Sequence, residues 1–296
     1  MRRTLWTWAR FALPALTIAV LVWRLGTGPF LDGLHSVDGG ALAAATAIAM
    51  LTTVCYGWRW KIVARGLGVD LALRSAVAAY YRSMFLNLTL PGGIVGDVHR
   101  GVSHGRDVND VGRALRSVAW ERVAGQVLLI LVTVGVLLAL PSPVHAIMPV
   151  VAIVVVVAVL GIVLVARTSD VREGLLVRRA WPGIALASAV IVAGHVATFL
   201  IAVRTAGVTA PVSRVLPLAL LVIAAMVLPN VGGWGPREGV AAWVFGAAGL
   251  GAQQGVSTAV VYGVMALVAS LPGALVLVVA WLRPAHPPLG RRPARA

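Results

Sequence analysis

The sequence predicts an all-α polytopic membrane protein of about eight apolar segments, six full spans and two broken re-entrant segments, arranged as an inverted repeat. Three observations support this prediction. Of the 296 residues, 59% are hydrophobic and 12% are charged, about half the charged share of a soluble domain. The charges lie in short clusters separated by long uncharged stretches, as in multi-span membrane proteins. Two apolar segments are interrupted by corresponding motifs that contain Pro and Gly.

The full spans follow from the stretches that contain no Asp, Glu, Lys or Arg. A helix needs about 20 apolar residues to cross the bilayer, and the uncharged stretches 123–166 and 239–282 are each long enough for two passes. The N-terminal apolar run follows three arginines but no small-x-small cleavage site follows it, so we expect a retained span rather than a signal peptide. The predicted spans are 11–31, 39–58, 123–140, 146–166, 180–203 and 258–282.

The basic residues predict the orientation of these spans. The connections 32–38 and 141–145 contain no Lys or Arg, whereas basic residues are concentrated in cytoplasmic loops. We therefore expect both termini in the cytoplasm and the basic loops close to anionic lipids. Arginine almost replaces lysine, and Ala, Val and Gly are abundant, which suggests a GC-rich bacterial genome and hence the bacterial cytoplasmic (inner) membrane. The basic segments are 1–10, 59–82, 97–122, 167–179 and 283–296.

The order of the segments predicts an internal repeat within a single membrane domain, 1–296. The halves 1–140 and 146–282 each contain two spans, one interrupted piece and one further span. A basic tail, 283–296, follows the second half and is expected in the cytoplasm. Three full spans per half is an odd number, so the two halves would have opposite orientations. This arrangement is typical of inverted-topology repeats.

The interrupted pieces, 76–96 and 215–250, contain similar motifs. The first reads Leu-Pro-Gly-Gly-Ile-Val-Gly-Asp-Val-His-Arg-Gly from Leu90, and the second reads Leu-Pro-Asn-Val-Gly-Gly-Trp-Gly-Pro-Arg-Glu-Gly from Leu228. Proline removes a helix donor and glycine permits positive φ, so neither motif continues a regular helix. We expect re-entrant segments beside a water-filled cavity; ordinary loops remain the alternative. The predicted breaks comprise Pro91, Gly92, Gly93 and Gly96, then Pro229, Gly232, Gly233 and Gly235.

Charged residues beside the breaks are the candidate substrate-binding residues, because arginine donates paired hydrogen bonds to phosphate and charges inside a membrane are usually functional. Asp97 and Arg100 are three residues apart and would share a helix face. Helix N-termini after each break would add partial positive charge. Glu238 is expected to be a poor partner for Arg237 because adjacent helical residues point about 100° apart. The alternative is a set of structural ion pairs between the halves. The candidates are Arg100, Arg122 and Arg237 with Asp97, Glu121 and Glu238.

The two motifs resemble a known family. The similarity is carried by Pro91-Gly92-Gly93, Gly96-Asp97, Arg100, Ser117-Val118 and Glu121-Arg122, then by Pro229, Gly232-Gly233, Gly235 and Arg237-Glu238-Gly239. These residues resemble the flippase-like family named for the lysylphosphatidylglycerol synthase transmembrane region. One departure is Val95, where the family pattern has a second paired glycine.

The resemblance implies movement of lipids, or of lipid-linked groups, between the leaflets. Bacterial resistance factors of the family carry an additional soluble aminoacyltransferase domain; we expect none here, so synthase activity is not implied. The expected function is translocation of a phospholipid or a polyprenyl-phosphate-linked group. The alternatives are a membrane-embedded lipid-phosphate transferase or hydrolase, and a noncatalytic partner of a glycosyltransferase or lipid-modifying enzyme.

Several other classes are excluded or disfavoured by the sequence. The single cysteine, Cys55, excludes an intramolecular disulfide framework and a cysteine-rich metal site, and we expect no metal. The chain contains no Gly-x4-Gly-Lys-Ser/Thr loop, so we expect no nucleotide or other cofactor. Movement of the lipid would then be downhill or coupled to an ion gradient. Topology and anionic lipids explain the net charge of +15, so nucleic acid is not an expected partner.

Overall fold

The computed structural model describes residues 2–168 and 180–282. Within these residues the chain forms α-helices joined by short connections and contains no strand, as predicted. A 3₁₀ turn, His145–Ile147, precedes α7. The helices are α1 Arg2–Leu25, α2 Gly28–His35, α3 Gly39–Gly66, α4 Leu73–Thr89, α5 Val95–Asp107, α6 Val111–Ala139, α7 Met148–Thr168, α8 Trp181–Thr205, α9 Val212–Ala225, α10 Pro236–Ala247 and α11 Ala252–Leu282.

The helix lengths confirm a multi-pass membrane protein. The described residues contain five helices long and apolar enough to span a bilayer, namely α3, α6, α7, α8 and α11, or six spans if α1 and α2 form one. The two interrupted pieces appear as short helix pairs, α4 with α5 and α9 with α10, each separated by a break. The count of eight membrane segments and the inverted repeat remain predictions.

The predicted first span, 11–31, is bent. α1 and α2 meet at an angle of 98°, because Gly26 adopts φ +75° and Pro29 lies in the first turn of the new helix. The bend directs α2 against α11, where the Ser257 hydroxyl donates a 2.8 Å hydrogen bond to the carbonyl of Pro29.

The basic segment 59–82 was predicted to be a cytoplasmic loop, and this prediction is wrong in its first part. α3 continues through residues 59–66, and α4 begins at Leu73. Arg59 is therefore a helical residue, and it is only 4% exposed. The helix tolerates this buried charge because Glu121 pairs with it.

The largest cluster of buried apolar residues in the described chain lies mainly among α8, α9, α10 and α11. Phe199, Leu218, Phe245, Tyr262 and Met265 pack there with at most 2% of each residue exposed. In a membrane such packing is driven by van der Waals contact rather than by exclusion of water, so close helix approach matters. α7 is the opposite case: only 6% of its 18 most apolar consecutive residues are buried, which suits contact with lipid.

Candidate functional site

The two breaks contact one another. The amide of Gly92 donates a 2.9 Å hydrogen bond to the Asn230 carbonyl, and the amide of Gly233 donates a 3.0 Å bond to Asn230 Oδ1. Asn230 therefore satisfies backbone donors from both motifs. The helices are interrupted at both motifs, and positive φ is found at Gly92, Gly93, Gly232, Gly233 and Gly235. The prediction is wrong for Gly96, which lies in the first turn of α5 and not in the break.

Glu121 is the centre of a buried polar cluster that joins five helices. Its side chain is 0% exposed, and Oε1 accepts a 2.8 Å bond from Arg59 Nε. Oε2 accepts a 2.8 Å bond from Arg100 Nη2 and a further bond from the Tyr80 hydroxyl. Arg59 Nη1 also donates to the Ser188 hydroxyl at 2.9 Å. The cluster thus connects α3, α4, α5, α6 and α8.

Asp97 extends this cluster towards the first break. Its Oδ1 accepts from Arg100 Nε at 3.0 Å and from the Ser83 hydroxyl at 3.3 Å. Its Oδ2 accepts from Asn87 Nδ2 at 2.9 Å and from Arg122. The predicted pairing of Asp97 with Arg100 on one helix face is therefore present, because α5 begins at Val95.

Gly96 brings α5 close enough to α4 for these contacts. A Cβ atom at Gly96 would overlap the backbone of Ser83. The Gly96 amide donates a 2.7 Å bond to Asn87 Oδ1, so one donor at the start of α5 already has a partner. Asp97 lies in the first turn of the same helix and offsets part of the positive charge that we expected at this N-terminus.

Arg100 is enclosed by aromatic rings. Its guanidinium carbon lies 4.1 Å from the ring centroid of Tyr80 and 4.6 Å from that of Trp60, a cation–π arrangement. Trp60 is held in turn by a 2.9 Å bond from Nε1 to the Ser117 hydroxyl. Arg100 is 1% exposed, and among the described residues its Nη1 has no hydrogen-bond partner.

In the second motif, Arg237 pairs with its neighbour. Glu238 Oε1 accepts a 2.8 Å bond from Arg237 Nε, and Oε2 accepts a 2.8 Å bond from the Gly235 amide. The expectation that Glu238 is a poor partner for Arg237 is wrong, because in the first turn of α10 the carboxylate folds back over the helix start and the long arginine side chain turns to meet it. Arg237 is 3% exposed and lies 5.7 Å from the Tyr262 ring centroid and 5.8 Å from that of Trp234.

Two cavities lie beside these charges. The inner cavity, about 140 Å³, is next to the Glu121 cluster. The break cavity, about 150 Å³, lies between the two motifs and is lined by Gly93, Asn230 and Arg237. Arg122 and Asn87 line both. The inner cavity is further lined by Tyr56, Tyr80, Asp97, Gln126 and Leu129.

The charges of the cluster do not cancel. Three arginines face two carboxylates, so one positive charge is in excess among the described residues, while Arg237 and Glu238 neutralise each other. Arg122 is the most exposed of the three arginines, with 42% of its side chain accessible, and Asp97 is its one ionic partner within the described chain. The excess charge therefore lies where both cavities can reach it.

The structure groups most of the predicted charged residues. Asp97, Arg100, Glu121 and Arg122 lie in one cluster, and Arg237 shares the break cavity with Arg122. Of the six charged residues predicted to bind substrate, Arg100 and Glu238 line neither cavity.

Sequence reasoning missed Arg59, Tyr80 and the pair Tyr56 and His195, which are hydrogen-bonded to one another at 2.9 Å. Arg59 was missed because its charge marked the end of an uncharged stretch and was therefore read as the start of a loop. One residue carried a usable signal: Glu121, if buried, requires a cationic partner. In the structure, a Cβ atom at Gly125 would lie 2.6 Å from the Arg59 guanidinium, so this glycine leaves room for that partner.

Residues 7–273 match the family described as the lysylphosphatidylglycerol synthase TM region. The chain belongs to this family. Membership agrees with the multi-pass helical fold and indicates a lipid-related function in a membrane. No curated protein was found to match the chain.

Proposed function

We propose that the protein moves an anionic lipid, either a phospholipid or a polyprenyl-phosphate-linked group, from one leaflet of the membrane to the other. The observation that carries the proposal is Arg122, a partly exposed arginine that belongs to a cluster with one excess positive charge and lines both cavities. Arginine suits a phosphate oxygen pair because its planar guanidinium donates two parallel hydrogen bonds.

The other candidate cations are less available to a ligand. Arg100 is enclosed by rings and carboxylates, and Arg237 already binds Glu238. Charges within a membrane are costly and usually functional. A visiting phosphodiester carries one negative charge, which would neutralise the single excess charge of the cluster.

The arrangement suggests a simple exchange. A lipid phosphate enters the break cavity and forms hydrogen bonds with Arg122 while Asp97 keeps its contacts with Ser83, Asn87 and Arg100. Because Arg122 lines both cavities, a rotation of its side chain would carry the phosphate between them. The hydrocarbon chains would remain in the surrounding lipid.

The test is a leaflet-movement assay in liposomes that contain the purified protein and a panel of fluorescently labelled phospholipids and polyprenyl phosphates. The labelled lipid that becomes accessible to an impermeant quencher is measured over time. Arg122→Ala should lower the rate at least tenfold, and Arg122→Lys should restore part of it because the charge returns without the planar fork.

Arg113→Ala is the matched control, because Arg113 lies on the same helix with 47% of its side chain exposed and forms a local ion pair with Asp110. It should move lipid at the wild-type rate. Wild-type movement by Arg122→Ala, or no movement of any lipid by the wild type, would contradict the proposal. Chromatography of the recovered lipids tests the enzymatic alternative, which requires a chemically altered lipid.

A further inference from the structure

A chain of three hydrogen-bonding side chains connects the two charged motifs. The Tyr56 hydroxyl and His195 Nε2 are 2.9 Å apart, and His195 Nδ1 and the Tyr262 hydroxyl are 2.8 Å apart. These residues belong to α3, α8 and α11. Tyr56 lines the inner cavity, and the Tyr262 ring lies against Arg237 of the second motif. One end of the chain therefore opens to the cavity, and the other end is buried.

The geometry suits a group that gains and loses a proton without moving. A neutral imidazole has one donor and one acceptor nitrogen, so one tyrosine donates to it and the other accepts from it. An imidazolium has two donors, and both tyrosine hydroxyls can accept from them at the same positions. His195 thus keeps both hydrogen bonds in either protonation state.

The charges that surround His195 make the second proton dependent on an anion. α3 contributes Tyr56, which is hydrogen-bonded to His195, and Arg59, and α11 contributes Tyr262. Glu121 and Arg122 of α6 line the inner cavity that Tyr56 also lines. α9 packs on α8 through apolar side chains such as those of Leu218 and Val222. Because the cluster already has an excess positive charge, an imidazolium is disfavoured while the cavity is empty. A phosphate in the cavity removes that excess.

We infer that His195 binds one proton together with the anionic headgroup, so that a proton is the co-substrate of this protein. The inference rests on the proposed function. The proton comes from the surrounding solution through the inner cavity: Tyr56 passes its hydroxyl proton to Nε2 and takes one from a hydronium ion, so one N–H bond forms, one O–H bond of hydronium breaks and a neutral water molecule is left. The reverse steps return the proton when the headgroup leaves. Since coupling between two ligands is reciprocal, the proton also strengthens binding of the anion.

The experiment measures proton uptake by the full chain in detergent. Dihexanoyl-phosphatidylglycerol, a water-soluble lipid whose phosphodiester stays singly charged, is titrated calorimetrically at one pH in two buffers of different ionisation enthalpy. The wild type should take up a proton, at most one per lipid bound, and its affinity should fall with rising pH by no more than about tenfold per pH unit.

The variants separate His195 from other groups. His195→Gln should bind the lipid without proton uptake and with an affinity that does not change between pH 5.5 and 8.5. Tyr262→Phe removes an acceptor of the imidazolium, so its uptake should shift to lower pH. His99→Gln, which changes an exposed histidine on α5, is the matched control and should behave as the wild type.

Lipid binding by the wild type without proton uptake, or uptake that persists in His195→Gln, overturns the inference and leaves the proposed function intact. A lipid that neither binds nor moves in liposomes overturns both. If His195→Gln does not fold, the wild-type uptake and the shift in Tyr262→Phe still decide the question.

Discussion

At the scale of single residues, the site depends on carboxylates that satisfy several cations at once. Glu121 accepts hydrogen bonds from two arginines and one tyrosine without any exposure to solvent. A buried ion pair adds little net stability over apolar packing, but removing one partner leaves an uncompensated charge. Glu121 is for this reason the residue whose loss should affect the fold most.

Glu121→Gln keeps the shape of the side chain and removes its charge. Since Arg59 and Arg100 then lose their shared counter-ion, we expect a loss of stability of about 3 kcal/mol, measured as a lower melting temperature of the protein in detergent. Asp70→Asn, an exposed position, should melt as the wild type does. Equal melting of Glu121→Gln and the wild type would show that the arginines find other partners.

Arg237 offers a test that separates a structural pair from a ligand contact. Arg237→Ala leaves Glu238 buried and unpaired, so we expect less folded protein after extraction, with recovery in the double variant Arg237→Ala/Glu238→Gln. Size-exclusion chromatography measures the folded fraction, and the liposome assay measures lipid movement. If Arg237→Ala alone folds normally yet moves no lipid, Arg237 instead contacts the lipid headgroup.

The sequence predicted the charged cluster only in part, for a physical reason. Asp97 and Arg100 were paired from helical spacing alone, a local property. The contacts of Glu121 with Arg59 and Tyr80 join residues 62 and 41 positions apart, and such pairing depends on how the helices pack. His195 gave no signal at all, because a single histidine in an apolar helix looks the same whether or not tyrosines face it.

At the scale of helices, close approach across small residues positions the functional groups. α5 reaches α4 because Gly96 has no side chain, and Asp97 follows it directly. The break motifs were predictable because Pro and Gly change the backbone locally. The bend at Gly26 has the same kind of local cause, Gly26 followed by Pro29, and was overlooked. The extension of α3 beyond Trp58 was not predictable in this way, since it depends on contact with α6.

Gly96→Ala tests this close approach. The added methyl group overlaps the Ser83 backbone, so α5 must move and Asp97 should lose its contact with Ser83. We expect lower stability and slower lipid movement. Gly135→Ala on α6 is the matched control, because no described atom lies within 4 Å of its added Cβ, and alanine in a helix interior should stabilise by roughly 0.5–1 kcal/mol. Similar behaviour of the two variants would contradict the packing argument.

At the scale of the whole molecule, composition and charge spacing were sufficient to predict a multi-pass helical protein. They do not determine whether the first interrupted piece crosses the membrane. α3 has 28 residues and is about 42 Å long at 1.5 Å per residue, so it is long enough for its two ends to reach opposite sides of about 30 Å of hydrocarbon. The side on which α6 begins then depends on α4 and α5.

Cysteine labelling resolves this point in a Cys55→Ser background, with single cysteines at the exposed positions His35, Asp70 and Pro143. His35 precedes α3, Asp70 follows it, and Pro143 follows α6.

If α4 and α5 form a re-entrant segment, α6 starts on the side of Asp70 and ends on the side of His35. An impermeant thiol reagent added outside should then label His35→Cys and Pro143→Cys, while Asp70→Cys reacts only after permeabilisation, because the basic loops are expected to face the cytoplasm. If Pro143→Cys instead behaves as Asp70→Cys does, so that only His35→Cys is labelled from outside, the first interrupted piece spans the membrane, which removes the inverted repeat. Labelling of Asp70→Cys alone from outside would keep the re-entrant segment and reverse the orientation.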